Sequence, residues 1–464
     1  MKKRIIALIS GVLAAAMSFS ISACKVDTGK TSESDKESIG PVKPESNENA
    51  EIELTVGTLG KEDEQSLMQA WINEYQKLNK NVGIKITKNM GGMPEIINWT
   101  SAGALPDIVW TAGDQHSPYS GSGYFQDLSD ESVFEGSEEF FNGFYESIID
   151  STHYSSEDNG IWFVPRDYNR LVIYINVSAF EAAGVEVPDN DWTWNDFIDV
   201  CNKLKEAGAK KAVEWKSWRP VYTTMLTNFG GKYLNDDCSF ALESDEAKAC
   251  YEFYENFYAA KAETGDPAET ALAIKGEGAS FKAYAGSITG SVPMVVDVRP
   301  QLTGYMKAAY NGDWTLDVRA FPNFTQEGGA SGYVGTGCSG YGITKACTDE
   351  TKRAEAWKFL KWCMSEEGYN AVSYLGNIVP AIKSMRNSGE WRDYSYGGMS
   401  VDADAFVADN TNDIFLNYYN VLPNSKQDKF IRLTDTFWDN AGVGKSFKTA
   451  CDEFKEDFED LMRK

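Results

Sequence analysis

The side chains that carry most metal and hydrolytic chemistry are scarce in this chain. Two of its 464 residues are histidine, His116 and His153, and its cysteines stand singly, with no C-x-x-C and no Cys/His cluster. A zinc site needs several such ligands at short, regular spacing, so no metal is expected, and nothing in the sequence calls for a cofactor. Neither G-x-S-x-G nor H-E-x-x-H occurs, and the eightfold strand–helix recurrence of a barrel enzyme is missing, as is any internal repeat. Positive charge is also in deficit. Lys and Arg number 44 against 69 Asp and Glu, for a formal net charge of −25. A chain of that balance has no electrostatic attraction for nucleic acid or for an anionic lipid surface. What is abundant is hydrophobic material, 42% of residues, with 13% aromatic and 13 tryptophans. That is ample for a packed interior, and the body from residue 51 onward is too long for one simple core, so two domains are expected.

Long apolar runs are absent except at the start. Lys2, Lys3 and Arg4 precede the apolar run from Ile5 to Met17, which is too short to remain as a helix across a bilayer core of roughly 30 Å. Ile21-Ser22-Ala23-Cys24 follows. The small residues before a cysteine resemble the lipobox of bacterial lipoproteins, which implies cleavage after residue 23 and lipidation of Cys24. An ordinary secretory signal with an incidental cysteine is the competing reading. Residues 24–50 are mostly Ser, Glu, Asp, Lys, Gly and Pro and cannot bury enough surface to offset chain entropy, so a disordered tether is expected there. Removing the leader takes away three positive charges and makes the chain more acidic still. If Cys24 carries lipid, seven cysteines remain, an odd number that cannot all pair, although one or two disulfides are compatible with the count.

The body alternates short β-like runs with amphipathic helices, which predicts α/β layers. Ile52, Leu54 and Val56 alternate as a strand, and Leu67, Trp71, Tyr75 and Leu78 recur at helical spacing. Ile84 and Ile86, then Asp107 to Trp110, read as two more strands of a parallel sheet, whose strand ends are the usual place for a ligand crevice. Leu171 to Asn176 is another strand, with polar Arg166 to Arg170 before it as a crossing between lobes. Thr193 with Asp196 forms a weak capping box ahead of Phe197, Val200, Cys201 and Leu204, and Ser244 caps the stripe from Ala247 to Tyr258. Trp314 to Phe321 reads as a strand. Ala354, Trp357, Leu360 and Met364, then Phe447 to Leu461, mark two further helices.

Taken in order, several segments resemble the extracellular solute-binding proteins of carbohydrate ABC transporters, the family of the maltose-binding protein. They are Leu105-Pro106-Asp107-Ile108, Phe125-Gln126-Asp127-Leu128, Phe163 to Asn176, Ala182 to Val187 with Trp194-Asn195-Asp196-Phe197, and Gly340 to Ala381. The resemblance covers nearly the whole body. It implies a two-lobed α/β binding-protein fold of type II, with a ligand cleft between lobes joined by a three-segment hinge near Pro165, Phe321 and Pro380. Lobe 1 would comprise residues 51–165 plus 322–380, and lobe 2 residues 166–321 plus 381–464. It further implies a monomeric, non-enzymatic binding protein that passes a sugar, an oligosaccharide by expectation, to ABC permease subunits. The protein would stand on the outer face of the cytoplasmic membrane of a Gram-positive bacterium, touching the membrane through its lipid anchor alone. One departure stands out. Where the family carries G-x-W with a stacking tryptophan, Gly290 is followed by Ser291, Val292, Pro293 and Met294, with Asp297 and Arg299 just beyond. The rival reading is a secreted glycoside hydrolase working through two carboxylates; a third keeps the fold and binds a non-sugar solute.

A sugar needs polar partners for its hydroxyls and aromatic faces for its C–H surfaces. Candidates follow from position. Glu62 and Asp63 come after the first strand, where a solvated helix N-terminus explains them equally well. Asp114 and Gln115 follow the third strand. Trp215, Trp218, Arg219 and Tyr222 lie in a loop-like stretch and are candidate stacking and polar contacts. Arg166 and Asp167 sit at the expected hinge, where a structural ion pair competes with ligand contact. Gly337 lies in the glycine-rich run from Gly335 to Gly340, which lacks the Lys-Ser/Thr of a phosphate cradle and is expected to be a flexible loop offering backbone donors. Trp438 is a further candidate platform or plain core. Asp297 and Arg299 complete the set.

Overall fold

Alternating apolar residues at Leu54 and Val56 bury one face of the first strand of a computed structural model that describes residues 41–463, apart from 46, 48, 114, 156, 259–270, 327–328, 416–418 and 420. The expected leader, Cys24 and the first part of the tether lie outside the described residues, as does Asp114. The tether expected as far as residue 50 ends earlier. Val42 packs against the core, and its N–H donates to Ser66 Oγ at 3.3 Å. Asn73 accepts from Glu45 N and donates to Lys43 O, while Asn47 donates to Val82 O. One valine and a row of amides suffice to lay this segment along a helix.

Two five-stranded sheets carry the fold. The first runs in the order β2-β1-β3-β12-β4, with β1 Ile52–Leu59, β2 Val82–Met90, β3 Ile108–Ala112, β4 Val164–Pro165 and β12 Ser339–Ile343. β1, β2 and β3 are parallel, and β12 returns antiparallel beside β3. Asp107 fixes the β1–β3 register by accepting from the Thr55 N–H at 2.8 Å and hydroxyl at 2.7 Å. The helix Glu62–Leu78 covers this sheet with Leu67, Trp71 and Tyr75. Trp71 donates to Gly368 O and Tyr75 to Glu355, which pins it to the helices Glu366–Val372 and Glu350–Cys363. Leu78, expected on the same face, is 58% exposed because it is the helix's last residue and overruns the sheet.

The second sheet runs β10-β6-β9-β7-β8, with β6 Val172–Asn176, β7 Val213–Trp215, β8 Ala273–Lys275, β9 Met294–Asp297 and β10 Leu316–Ala320. Its helix Trp194–Glu206 begins with the capping box expected from Thr193 and Asp196, both halves of which form. Ser244 accepts from Ala247 N, as expected of the cap before the helix Asp245–Tyr258.

A third, three-stranded sheet joins the other two. Its strands are β5 (Asn169–Arg170), β11 (Tyr333–Gly337) and β15 (Asn412–Phe415), in the order β15-β11-β5. β5 lies between β4 of the first large sheet and β6 of the second. β11 lies between β10 and β12 in the same way, so each strand belongs to a passage between the sheets. The Asp413 carboxylate ties all three together, accepting from Tyr168 and Arg170 on one passage and from Thr336 on another. β13 (Ser395–Tyr396) and β14 (Met399–Ser400) form a separate hairpin. No helix among the described residues is long and apolar enough to cross a membrane. Cys201, Cys238, Cys250, Cys347, Cys363 and Cys451 are free thiols, so the disulfides that the count left open are absent at these positions.

Candidate functional site

Register defines where a ligand can sit. β1, β2 and β3 end together at Leu59, Met90 and Ala112, the edge where β12 starts and β4 stops, since Ser339 pairs with Ala112 and Gly340 with Pro165. In the second sheet β7, β8 and β9 end at Trp215, Lys275 and Asp297, the edge where β6 begins and β10 finishes. The passages run between these two edges. Loops at strand C-termini on both sides of a crossing are the usual place for a crevice, and here they include Lys61 to Asp63 and Gln115 from one sheet and Lys216 to Arg219, Gly276 to Gly278 and Asp297 from the other.

At the first edge Lys61, Glu62 and Asp63 are exposed at the start of their helix, and Gln115 is half-buried. His116 is buried, its Nε2 2.7 Å from Thr152 O and its ring 5.0 Å from that of Phe163. Burial lowers its pKa to about 4, so it is neutral at physiological pH and packs as a core group.

The second edge carries a denser constellation. Lys216 follows β7 with its side chain 10% exposed, its Nζ 2.8 Å from Asp297 and 3.3 Å from Glu277. Tyr305 donates to Asp297 at 2.6 Å, and Val298 N donates to its other oxygen at 2.9 Å. Burial raises the Asp297 pKa, with Lys216 and Tyr305 pulling it back. Lys216 Nζ also lies 5.7 Å from the centre of the Trp218 ring, which is half-buried. Ser217 and Lys275 both reach Asp439, and Arg219 lies 3.3 Å from Asp435. Both carboxylates come from the helix Asn424–Ala441, which borders this rim. At its other end Asn424 donates to Ser117 O and buried Gln427 meets Ser117 Oγ, so that helix spans from the second sheet's layer to the loop after β3.

Several expected contacts lie elsewhere. Trp215 belongs to a strand, not a loop, and is fully buried; its ring packs against Trp194, Phe197, Phe257 and Phe321. Strand alternation sends it into the helix layer, and no face is left for a ligand. Trp438 is core for a similar reason, 5.4 Å from the buried Tyr222 ring in a stack and donating its Nε1–H to Tyr233. Tyr222 turns its hydroxyl to Ser217, so it supports the rim from below.

Arg166 and Asp167 form a closed network. Arg166 grips Glu64 in a two-pronged pair at 2.6 and 2.7 Å, and its Nε donates to Asp167 at 3.1 Å. Asp167 accepts from Ser339 N and Oγ. Burial opposes the Arg166 charge, but Glu64 and Asp167 outweigh it and hold the guanidinium protonated. Its donors are used within the protein, so the pair anchors the first passage. Arg299 is likewise buried. It donates to Gly376 O and Trp391 O, with Phe406 4.7 Å below its guanidinium. Gly337 is not in a flexible loop: the run is the end of β11 and the start of β12, and Gly337 pairs with Asn169 of β5 while β12 pairs with β3. A Cβ there would still meet nothing within 4 Å, so its Cα faces open space. Of the expected residues, the structure keeps Trp218, Arg219 and Asp297 together at one edge and Glu62, Asp63 and Gln115 at the other. Sequence reading missed Lys216, Glu277 and Asp439. The alternation that buries Trp215 would have pointed Lys216 the other way, and Gly276-Glu277-Gly278 was visible as a turn.

Two α/β layers whose strand C-termini lie at either end of passages through a third sheet have the architecture of a two-lobed binding protein. The chain belongs to the bacterial extracellular solute-binding protein family, whose sequence model matches residues 60–370. No curated protein matches it. Among solved structures it is similar to an ABC substrate-binding protein from Listeria monocytogenes in complex with cycloalternan, at 16% identity and TM-score 0.65, covering 88% of this chain and 99% of that one. UgpB from Mycobacterium tuberculosis, in complex with glycerophosphocholine, matches at 18% identity and TM-score 0.66, with 88% and 98% covered. The maltose/maltodextrin-binding domain MalE of Bdellovibrio bacteriovorus, bound to maltotriose, matches at 14% identity and TM-score 0.64, with 89% and 100% covered. At such identities the likeness is one of fold.

Proposed function

We propose that this protein captures a carbohydrate, an oligosaccharide in the first instance, and delivers it to the permease of an ABC importer, tethered to the outer face of the membrane through lipid on Cys24. The observation that carries the sugar reading is the half-buried Trp218 ring set among Lys216, Arg219, Asp297 and Glu277 at the strand ends. An aromatic face beside a cluster of charged donors and acceptors suits a molecule with C–H faces and a hydroxyl rim. Glu62, Asp63, Asp114 and Gln115 would meet it from the first lobe, with Gly337 contributing from the hinge. The lobes would exchange chain within residues 166–171, 321–338 and 376–415, and closure about these passages would trap the ligand. Neighbours of the same fold bind cycloalternan and maltotriose, which supports the reading, and one binds glycerophosphocholine, which names its competitor.

A thermal-shift screen of the protein against oligosaccharides tests this. A ligand present at a hundred times its Kd is expected to add about 2.7 kcal/mol of stability, read as a raised midpoint. Every glycan should remain intact on long incubation. No shift with any sugar, or steady release of reducing ends, would contradict the proposal.

A further inference from the structure

Glu277 is held in place more firmly than its own interactions warrant. Its side chain is 72% exposed and meets Lys216 Nζ at 3.3 Å. An ion pair so open to water on one side adds little to stability. Yet the turn that presents it is built from buried parts. Glu214, itself buried, accepts from Gly278 N and from Phe281 N, both at 2.9 Å. A Cβ at Gly276 would lie 2.0 Å from Glu214 Oε1, and one at Gly278 would lie 2.3 Å from the Tyr305 hydroxyl, where φ is +85°. Only glycine fits at either position, so the backbone of Glu277 is clamped between two buried side chains. Tyr305 at the same time holds Asp297, which holds Lys216. One buried frame therefore fixes the ammonium and the backbone that carries the carboxylate.

Their chemistry is complementary. An ammonium has three N–H donors, and the two carboxylates engage two, which leaves one for a ligand. Glu277 keeps an oxygen open to solvent as an acceptor. A vicinal diol laid over Trp218 can accept from Lys216 through one hydroxyl and donate to Glu277 through the other. The charge count points the same way. One cation, Lys216, meets two carboxylates beside Trp218. Arg219 and Lys275 are matched by Asp435 and Asp439. Immediately around Lys216 the carboxylates therefore outnumber the cation.

We infer that Lys216 and Glu277 act as a fixed donor–acceptor pair that sets ligand specificity, selecting uncharged, hydroxyl-rich solutes and rejecting anionic ones. The inference rests on the crevice being the ligand site and deepens the carbohydrate reading. It is tested by calorimetry and thermal shift with neutral gluco-oligosaccharides, their glucuronate-terminated counterparts and glucose 6-phosphate, on the protein and on Glu277→Gln. That exposed substitution leaves the buried frame intact and should not alter the apo midpoint. The neutral sugars are expected to bind at least about a hundredfold more tightly than the anionic ones, since an anion brought up to the Glu277 and Asp297 carboxylates meets like charge. Glu277→Gln should weaken neutral ligands about tenfold, the scale of one hydrogen bond to a charged group, and narrow the discrimination against anions. Tighter binding of the glucuronate or phosphate, or unchanged affinities in Glu277→Gln, would overturn the inference while leaving a sugar-binding protein. Stabilisation by uncharged non-sugar polyols alone would instead sink the carbohydrate reading and leave the charge selection standing.

Discussion

Replacing Arg166 with methionine is expected to destabilise the protein by about 3–5 kcal/mol, because it leaves two buried carboxylates without their cation. Glu64 and Asp167 are both almost inaccessible to solvent, and Arg166 is the group that satisfies both. The loss should have a pH signature. A buried, uncompensated carboxyl takes up its proton more readily in the folded than in the unfolded chain. The folded form then gains stability as pH falls, and the deficit should shrink toward acid. The triple variant Arg166→Met, Glu64→Gln, Asp167→Asn should recover most of the loss at neutral pH, since the cost lies in stranded charge and not in a missing attraction. Equilibrium denaturation at pH 7 and pH 5 reads all of this. Near-native stability of Arg166→Met would mean that the network is solvated and that the first passage is anchored by backbone pairing alone.

Trp215→Ala is expected to cost about 3–5 kcal/mol as well, by opening a cavity in the second lobe's core. The ring contacts four other aromatic side chains, and that packing disappears with it. Its neighbour three residues on should behave oppositely. Trp218→Ala is expected to leave the apo midpoint nearly unchanged and to weaken sugar binding by about 1–3 kcal/mol, as loss of a ligand-facing aromatic does. Melting curves and titration calorimetry on the two variants separate a core tryptophan from a binding one. A large apo loss for Trp218→Ala with affinity intact would move it into the core.

That contrast shows what was legible in the residues and what was not. Period carried the elements well: the strand at Leu54 and Val56, the capped helix after Thr193 and the C-terminal stripe from Phe447 all stand where alternation or helical spacing put them. The serial order of short segments carried the family. Site residues were harder, because a crevice is assembled from strand ends distant in sequence, and polarity alone does not say which way a side chain turns. Trp215 reads as loop in the sequence because β7 is only three residues long, too few to display alternation clearly. At Arg166 and Asp167 the sequence leaves a structural ion pair and ligand contact in competition, because the partners that decide it, Glu64 and Ser339, lie far away in the chain. Lys216 and Glu277 carry no signal in the sequence for the converse reason. Single charged residues in a chain this rich in charge draw notice only when a buried frame is seen to fix them.

The most direct test of the account is hydrogen exchange measured with and without a sugar that raises the thermal midpoint. The account predicts protection on binding in two separated sets of peptides at once, residues 60–64 with 113–116 and residues 215–219 with 276–278, together with slower exchange in the hinge strands 333–337. Protection confined to one lobe, or located instead in the surface groove between the helices Asp245–Tyr258 and Phe447–Arg463, would contradict it.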